Sequence, residues 1–476
     1  MGGFSSSFSS GYICRFCDCK YEDLQDNIHD YTGKQQHEKW TVSKYDDIVQ
    51  RFECLSNETE NEKSLSVSDA LNSYYNEDLD ADEEDGDSDS ELEENQTDSC
   101  GLKFECILNR LQSFHCVDSM PPDCLHDLFE GGIAQDLLGI IRILSSFGWF
   151  TIEEYNIALQ KFPLSTRDLA NKPQNVPTNK TVKKLIGKAV SQWLHIRIFL
   201  FILFENGWIG DEGNKVIQLA ILLTDLSLRI TAEKIEAYEI DVLEEVIVKY
   251  LDLRKEMYEE FPVLRHAIPK LHFLTHYADY VRRFGPPLGF WTGRYESKHR
   301  IAKSITECCK NFINIALTVS VRQQLRMAST YYNGMFSDEE FRLPVLIYRK
   351  GDLSSAEEDS NLKNSLDESD IVCMEIFWND RCFKEGTVII IDRKDKLEMT
   401  VGLVKCIVVR KNIVYFVVRR SKVALTPLKF FKSTVVEDKF TYVAASRICD
   451  LYPLKKYGSD RSFYIILHHH ISFKYD

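Results

Sequence analysis

The stretch KLHFLTHYADYVRRFGPPLGFWTGRYESKHR, Lys270–Arg300, sets two histidines four residues apart and then, beyond a Gly-Pro-Pro break, a glutamate among cations. On a helix His272 and His276 stand one turn apart on one face, so their imidazoles can share an ion. Alone the spacing is weak, because such pairs also occur on amphipathic helices as core or surface residues. It gains meaning from ICRFC, Ile13–Cys17, more than 250 residues upstream. A C-x-x-C turn points two thiolates at one ion, and it serves equally well as a redox pair. Cys19, His29 and His37 give it no second half of recognised finger spacing. A tetrahedron of Cys14, Cys17, His272 and His276 satisfies both half-sites at once, as a structural zinc site does.

At 476 residues, 44% of them apolar, the chain is too long for one compact core and predicts two or three domains. The formal charge of −15 is local in origin. The run EDLDADEEDGDSDSELEENQTD, Glu77–Asp98, holds 13 of the acids and no Lys or Arg, so the remainder lies within two charges of neutral. A block of like charge so poor in apolar residues cannot offset its ordering entropy and reads as a disordered insertion. The longest apolar run, Ile196–Phe204 with Arg197 inside it, is far shorter than the roughly 20 residues of a membrane helix. The opening MGGFSSSFSSGYICRF has neither a charged nor an apolar leader pattern, which predicts an intracellular protein. Fourteen cysteines in that setting favour reduced thiols and metal over a disulfide framework.

The texture of the chain suggests an α+β protein in six pieces. Residues 1–50 carry the C-x-x-C, 51–100 the polar and acidic insertion, and 101–265 an all-helical unit. In the last of these, Leu128, Ile133, Leu137, Ile140, Ile141 and Leu144 follow a helical period up to Gly148. Residues 266–336 hold the histidines and Glu296, with one helix predicted from Pro269 to Phe284, and 337–370 form a linker. Residues 371–476 alternate β-branched and aromatic residues, as in VGLVKCIVVR and NIVYFVVRR, and predict a small antiparallel barrel or sandwich. His468, His469 and His470 fall in the last of these runs and read as strand alternation.

Four strings in order, GGFSSSFSSGYICRFC, MPPDCLHDLFEGG, KLHFLTHY and FWTGRYESKHRIAK, resemble the transposases of the CACTA/Mirage/Chapaev type and animal proteins derived from them. These share their catalytic-core logic with the catalytic subunit of the V(D)J recombinase. The resemblance covers roughly residues 2–336. It implies an RNase H-like core interrupted by a large helical insertion, followed here by the β-barrel-like domain, and a nuclear protein whose partner is DNA. It also implies structural Zn²⁺ on Cys14, Cys17, His272 and His276, and Glu296 as the third carboxylate of an Asp-Asp-Glu site. Asp123-Cys124-Leu125-His126 matches an Asp-x-x-His string of the same families. In that pattern both catalytic aspartates precede the C-x-x-C, and no Asp lies between Met1 and Cys14. The expectation is therefore an N-terminally shortened, catalytically incomplete core, with an unpaired sheet edge and apolar surface near Ile13 and Phe290.

Strand transfer by such enzymes uses two hard cations on clustered carboxylates, so Mg²⁺ or Mn²⁺ is expected only with an intact site. Asp123 and His126 are candidates to complete one with Glu296. They read equally as a helix start, with Asp123 capping and Asp127 in the first turn. For Glu296 itself the plain alternative is a first-turn acid favoured by the helix dipole. Arg282, Arg283, Arg294, Lys298, Arg300 and Lys303, with Trp291 and Tyr295 among them, form a candidate phosphate-tracking patch whose alternative is a solvated basic face. Two other readings remain open: a host-adopted scaffold whose C-terminal β domain recruits a protein partner, and a metal-dependent nuclease using the remaining acids. Oligomerisation is compatible with each.

Overall fold

The computed structural model describes residues 13–20, 38–59, 105–211, 213–258, 260–264, 268–310, 313–332, 341–342, 364–379, 381–393 and 395–472. The acidic run Glu77–Asp98 and most of the 337–370 linker lie outside the described residues. The chain divides into two compact units, Met1–Pro122 with Ala267–His276, and Asp123–His266 with Tyr277–Asp476. This partition cuts the expected 266–336 piece between His276 and Tyr277, and it places the helical region and the C-terminal strands in one unit.

In the first unit the turn Ile13–Lys20 is closed by the Ile13 N–H donating to Cys19 O at 3.1 Å. It is tied to the following segment by an isolated bridge between Cys17 and Lys39. Helix α1, Val42–Thr59, starts where Thr41 Oγ1 accepts from the Lys44 N–H at 3.1 Å, an N-cap in the ordinary sense. It runs through the expected boundary at residue 50. Trp40, Tyr45, Ile48, Cys106, Cys116 and Val117 form a small core, and Tyr45 Oη accepts from the Cys106 N–H at 2.9 Å. Ile13 is buried, so the exposed apolar surface expected there is absent. Among the described residues no strand precedes Phe341, so none of the strands of an RNase H-like sheet is found in residues 13–59 or 268–332.

The second unit opens with an unusual element. Leu125–Ile133 is a π-helix, wider than the α-helix α2 that continues it, Ala134–Ser146. Such segments are rare and concentrate at functional sites. Helix α3, Ile152–Lys161, has a full capping box between Thr151 and Glu154. Helices α4, Ala189–Glu205, α5, Lys215–Ile230, and α6, Ala237–Tyr258, follow. Residues Leu194–Leu203 of α4 are all buried, Arg197 included, and its Nε donates to Leu467 O at 3.2 Å. The apolar run of α4 is thus a core helix, and no helix among the described residues is long and apolar enough to cross a membrane. Helices α7, Tyr277–Phe284, α8, Gly293–Cys309, and α9, Ile315–Tyr332, complete the helical part, and α8 and α9 bury no residue.

The strands are β1 Phe341–Arg342, β2 Ile371–Cys373, β3 Glu375–Trp378, β4 Arg381–Lys384, β5 Thr387–Arg393, β6 Glu398–Arg410, β7 Ile413–Leu425, β8 Phe431–Ala444, β9 Leu454–Gly458 and β10 Phe463–Ile465. β1, β3 and β4 make a small sheet. The larger, antiparallel sheet runs β2-β6-β5-β9-β10-β8-β7, and β7 pairs back onto β6, so six strands close into a ring with β2 added at one edge. Closure removes open edges, and bulges in β6, β7 and β8 supply the curvature. Period-two alternation is plain in β5, where Val388 and Ile390 join one core cluster and Ile389 another. Leu228 of α5 enters the first of these with Phe431 and Leu467. Phe201 and Phe204 of α4 meet Phe430 at centroid distances of 5.0 and 5.2 Å. Helices and barrel therefore share apolar contacts.

β10 ends at Ile465, so His468–His470 lie past the last strand, and strand alternation is not their explanation. Burial drives His468 well below its ordinary value, with Arg197 adding to the effect, and drives His195 of α4 to about 3. The neutral His195 accepts from the Tyr155 hydroxyl at 2.8 Å. These imidazoles are neutral in the fold and take protons only when unfolded, so the second unit should lose stability as pH falls from about 6.5 toward 3. For His195 the loss between pH 7 and pH 5 is about 2 kcal/mol. Urea midpoints at the two pH values check this, and His195→Gln, which cannot take that proton, should flatten the slope.

Candidate metal centre and carboxylate-histidine cluster

The first site is assembled wholly within the first unit. Cys14, Cys17, His272 and His276 are all buried, with one donor atom from each within 4.8 Å of every other. Cys14 Sγ lies 3.4 Å from His276 Nε2, Cys17 Sγ 3.1 Å from His272 Nε2, and the two Nε2 atoms 3.3 Å apart. Donors held at tetrahedral zinc distances would be separated by about 3.4 Å for N–N and about 3.6 Å for S–N. The observed edges fall close to these values, so the four residues could bind a metal with little rearrangement. Both cysteines are free thiols, not a disulfide.

Local structure explains the aim of each donor. The Phe16 N–H donates to Cys14 Sγ at 3.3 Å, which folds the turn so that both sulfurs face one side. The Trp40 indole N–H donates to Cys17 O at 3.1 Å and locks the second cysteine. Phe16 packs edge-on against Phe273 and tilted against His276, at centroid distances of 5.6 and 5.1 Å. The expected single helix from Pro269 to Phe284 is interrupted. Pro269–Phe273 is α-helical with Pro269 in its first turn, and Leu274–His276 tightens to a 3-10 turn. The four-residue spacing still brings the two rings together, at 5.2 Å and 79°. Cys19, although buried, turns its Sγ toward Lys20 O at 3.7 Å and is not a fifth donor.

The hydrogen bond from Cys14, then those of His272 and His276, pull the Cys17 thiol far down against desolvation, while burial pushes Cys14 up. Burial keeps His276 below its ordinary value. A buried thiolate is costly without a partner charge, and a divalent cation with two thiolates makes a neutral centre.

The second site lies in the second unit, where the structure brings Asp123, His126 and Glu296 together. His126 Nδ1 is 2.5 Å from Asp123 Oδ2, and His126 Nε2 is 3.0 Å from Glu296 Oε1. Asp123 is held further: its Oδ1 accepts from the N–H groups of Leu125 and Thr292, at 3.2 and 3.1 Å, and its Oδ2 from the Thr292 hydroxyl at 2.5 Å. Although desolvation pushes the other way, the Thr292 and His126 hydrogen bonds keep the carboxyl below its ordinary value. Asp123 thus acts as the N-terminal cap it resembled and, in addition, as an anchor for His126. Asp127 is buried, and accepts from the Tyr277 hydroxyl at 3.2 Å. Sequence reasoning missed Thr292 and Tyr277, because nothing in FWTG or LTHY marks a partner more than 140 residues upstream.

Glu296 sits in the first turn of α8 and is half-exposed. The two carboxylates occupy opposite edges of the imidazole, and among the described residues no third acid joins them in a metal-sized cluster. The arrangement can orient a proton between the two acids. It does not gather the carboxylates that a two-metal centre requires.

The predicted DNA-contacting residues separate into two classes. Arg282 is exposed but faces Asp241, Glu244 and Asp279 at 2.7, 2.8 and 3.5 Å, so its charge is already answered. Arg283 stacks over Phe284 at 5.3 Å. Arg294, Lys298, Arg300 and Lys303 are exposed on α8 and form no ion pair among the described residues. At 3.6 residues per turn, Arg300 and Lys303 share the side of Glu296, and Arg294 and Lys298 lie roughly opposite. They flank the helix and do not form one stripe.

No family model matches the chain, and no curated protein or solved structure matches it.

Proposed function

We propose that this chain is a zinc-containing, DNA-binding protein of transposase descent, acting in the nucleus and contacting DNA through α8. The carrying observation is the convergence of Cys14 and Cys17 with His272 and His276, two pairs separated by more than 250 residues, in edges close to those of a zinc tetrahedron. That pairing of distant half-sites is what the four resembling strings call for. Support for the DNA surface comes from α8, which exposes Tyr295 and whose four cations form no ion pair among the described residues. The RNase H-like core and its insertion remain part of the proposal through the resemblance alone. Binding without strand transfer fits the Asp123–His126–Glu296 geometry, in which the imidazole holds the carboxylates apart.

Arg300 and Lys303 share one face of α8, and two phosphate contacts predict that log affinity falls with log salt with a slope of about −2 on duplex DNA. Arg300→Ala with Lys303→Ala, the two on one face, should abolish most of that slope without changing the sequence dependence. Fluorescence anisotropy across a salt series reads both. Binding that ignores salt, or that survives the double variant unchanged, would overturn the assignment to α8. The alternative reading, a metal-dependent nuclease, would need a metal to displace His126 from between the two acids. Nicking in Mg²⁺ or Mn²⁺ that disappears in Glu296→Gln would establish it in place of binding alone.

A further inference from the structure

A second group of metal-ligating side chains lies far along the chain from the sites above, and none of the resembling strings includes it. Glu233 follows α5, Asp450 precedes β9, and His469 follows β10, and one donor atom from each lies within 4.8 Å of the others. Asp450 and His469 are buried, while Glu233 is exposed and faces solvent. His469 Nε2 stands 3.5 Å from Asp450 Oδ1. This is longer than a good hydrogen bond, and close to the ~3.4 Å edge expected between two donors on one tetrahedral ion.

The geometry points to a divalent-cation site on Glu233, Asp450 and His469, with its remaining coordination open to solvent on the Glu233 side. One imidazole and two carboxylates form a donor set for zinc, manganese or a similar ion, and three protein ligands leave a position for water. The backbone around the donors is fixed. The Cys449 N–H donates to Ile390 O at 2.8 Å, the Tyr452 N–H to Asp450 Oδ1 at 3.3 Å, and the His470 N–H to Leu228 O at 2.8 Å. Three guanidiniums act on His469, those of Arg197, Arg167 and Arg381, and the last two are engaged on Tyr452. Arg167 and Arg381 each lie 4.5 Å from its ring centroid, and Arg381 Nη2 donates to its hydroxyl at 3.0 Å. The His469 ring is held edge-on by the same tyrosine at 5.1 Å.

The test uses the full chain carrying a single equivalent of zinc, which the thiolate donors take first, with excess zinc removed before titration with Mn²⁺. Loss of the free-ion electron paramagnetic resonance signal reports binding. One further Mn²⁺ per chain is expected, weakened about tenfold or more by His469→Ala and by the exposed substitution Glu233→Gln, which leaves the core untouched. Glu296→Gln should leave this binding as it was. No Mn²⁺ uptake, or uptake insensitive to Glu233→Gln in a folded protein, would overturn the site.

Discussion

One zinc ion per chain is the expected metal content of the purified protein, and Cys17→Ser is expected to weaken its retention by about a hundredfold or more. The reason lies in how little else holds the first unit. Its described core is small, the six residues around Trp40 and Tyr45 together with Ile13, Phe16, Leu271, Phe273 and Leu274, set against the entropy of ordering two distant segments. Binding to preformed Cys and His donors contributes about 10 kcal/mol or more in small zinc modules, enough to decide whether such a unit folds. Chelation should therefore expose Trp40 and open the Ile13–Lys20 turn to proteases, while the transition of the second unit persists. Metal analysis with limited proteolysis, on the parent chain and on Cys17→Ser and His276→Ala, reads this directly. A metal-free protein whose turn stays protected would remove the centre and the ancestry built on it.

Loss of one partner from the Asp136–Arg254 pair should cost about 3–5 kcal/mol. Asp136 of α2 and Arg254 of α6 are both buried, joined by Nε–Oδ2 and Nη2–Oδ1 contacts of 2.7 and 3.1 Å, and the Tyr250 hydroxyl also donates to Asp136. The two charges taken out of water offset each other's desolvation, so Asp136→Asn or Arg254→Met removes that offset from the survivor. Replacing both, as Asp136→Leu with Arg254→Met, should cost less than either single change. Urea unfolding of the three variants gives the comparison. A single substitution costing under about 1 kcal/mol would show that water reaches the pair.

Several elements were legible because they rest on local rules. The alternation of GTVIIID and VGLVKCIVVR yielded antiparallel strands, and the period of Leu128–Leu144 a helix, because each stretch carries its own pattern of burial. The zinc reading used chemistry equally local: four donors of matching softness in two short-range pairs. The π-helix over Leu125–Ile133 was not legible, since its apolar spacing does not distinguish it from the α-helix that follows. Nor was the neutralisation of Arg282, whose partners Asp241 and Glu244 come from another helix. The exposed faces of α8 look in sequence like any charged helix.

What the sequence determined by itself is the kind of each segment and the donors it offers: thiols at Cys14 and Cys17, imidazoles at His272 and His276, an acid at Glu296. The tertiary structure alone decided which of them meet. It joined Asp123, His126 and Glu296 through one imidazole, packed barrel strands against α4 and α5, and set His469 beside Asp450. The physical reason is range. Backbone propensity and hydrophobic period act over a few residues and are written in them, whereas the approach of groups far apart in the chain depends on how whole elements pack.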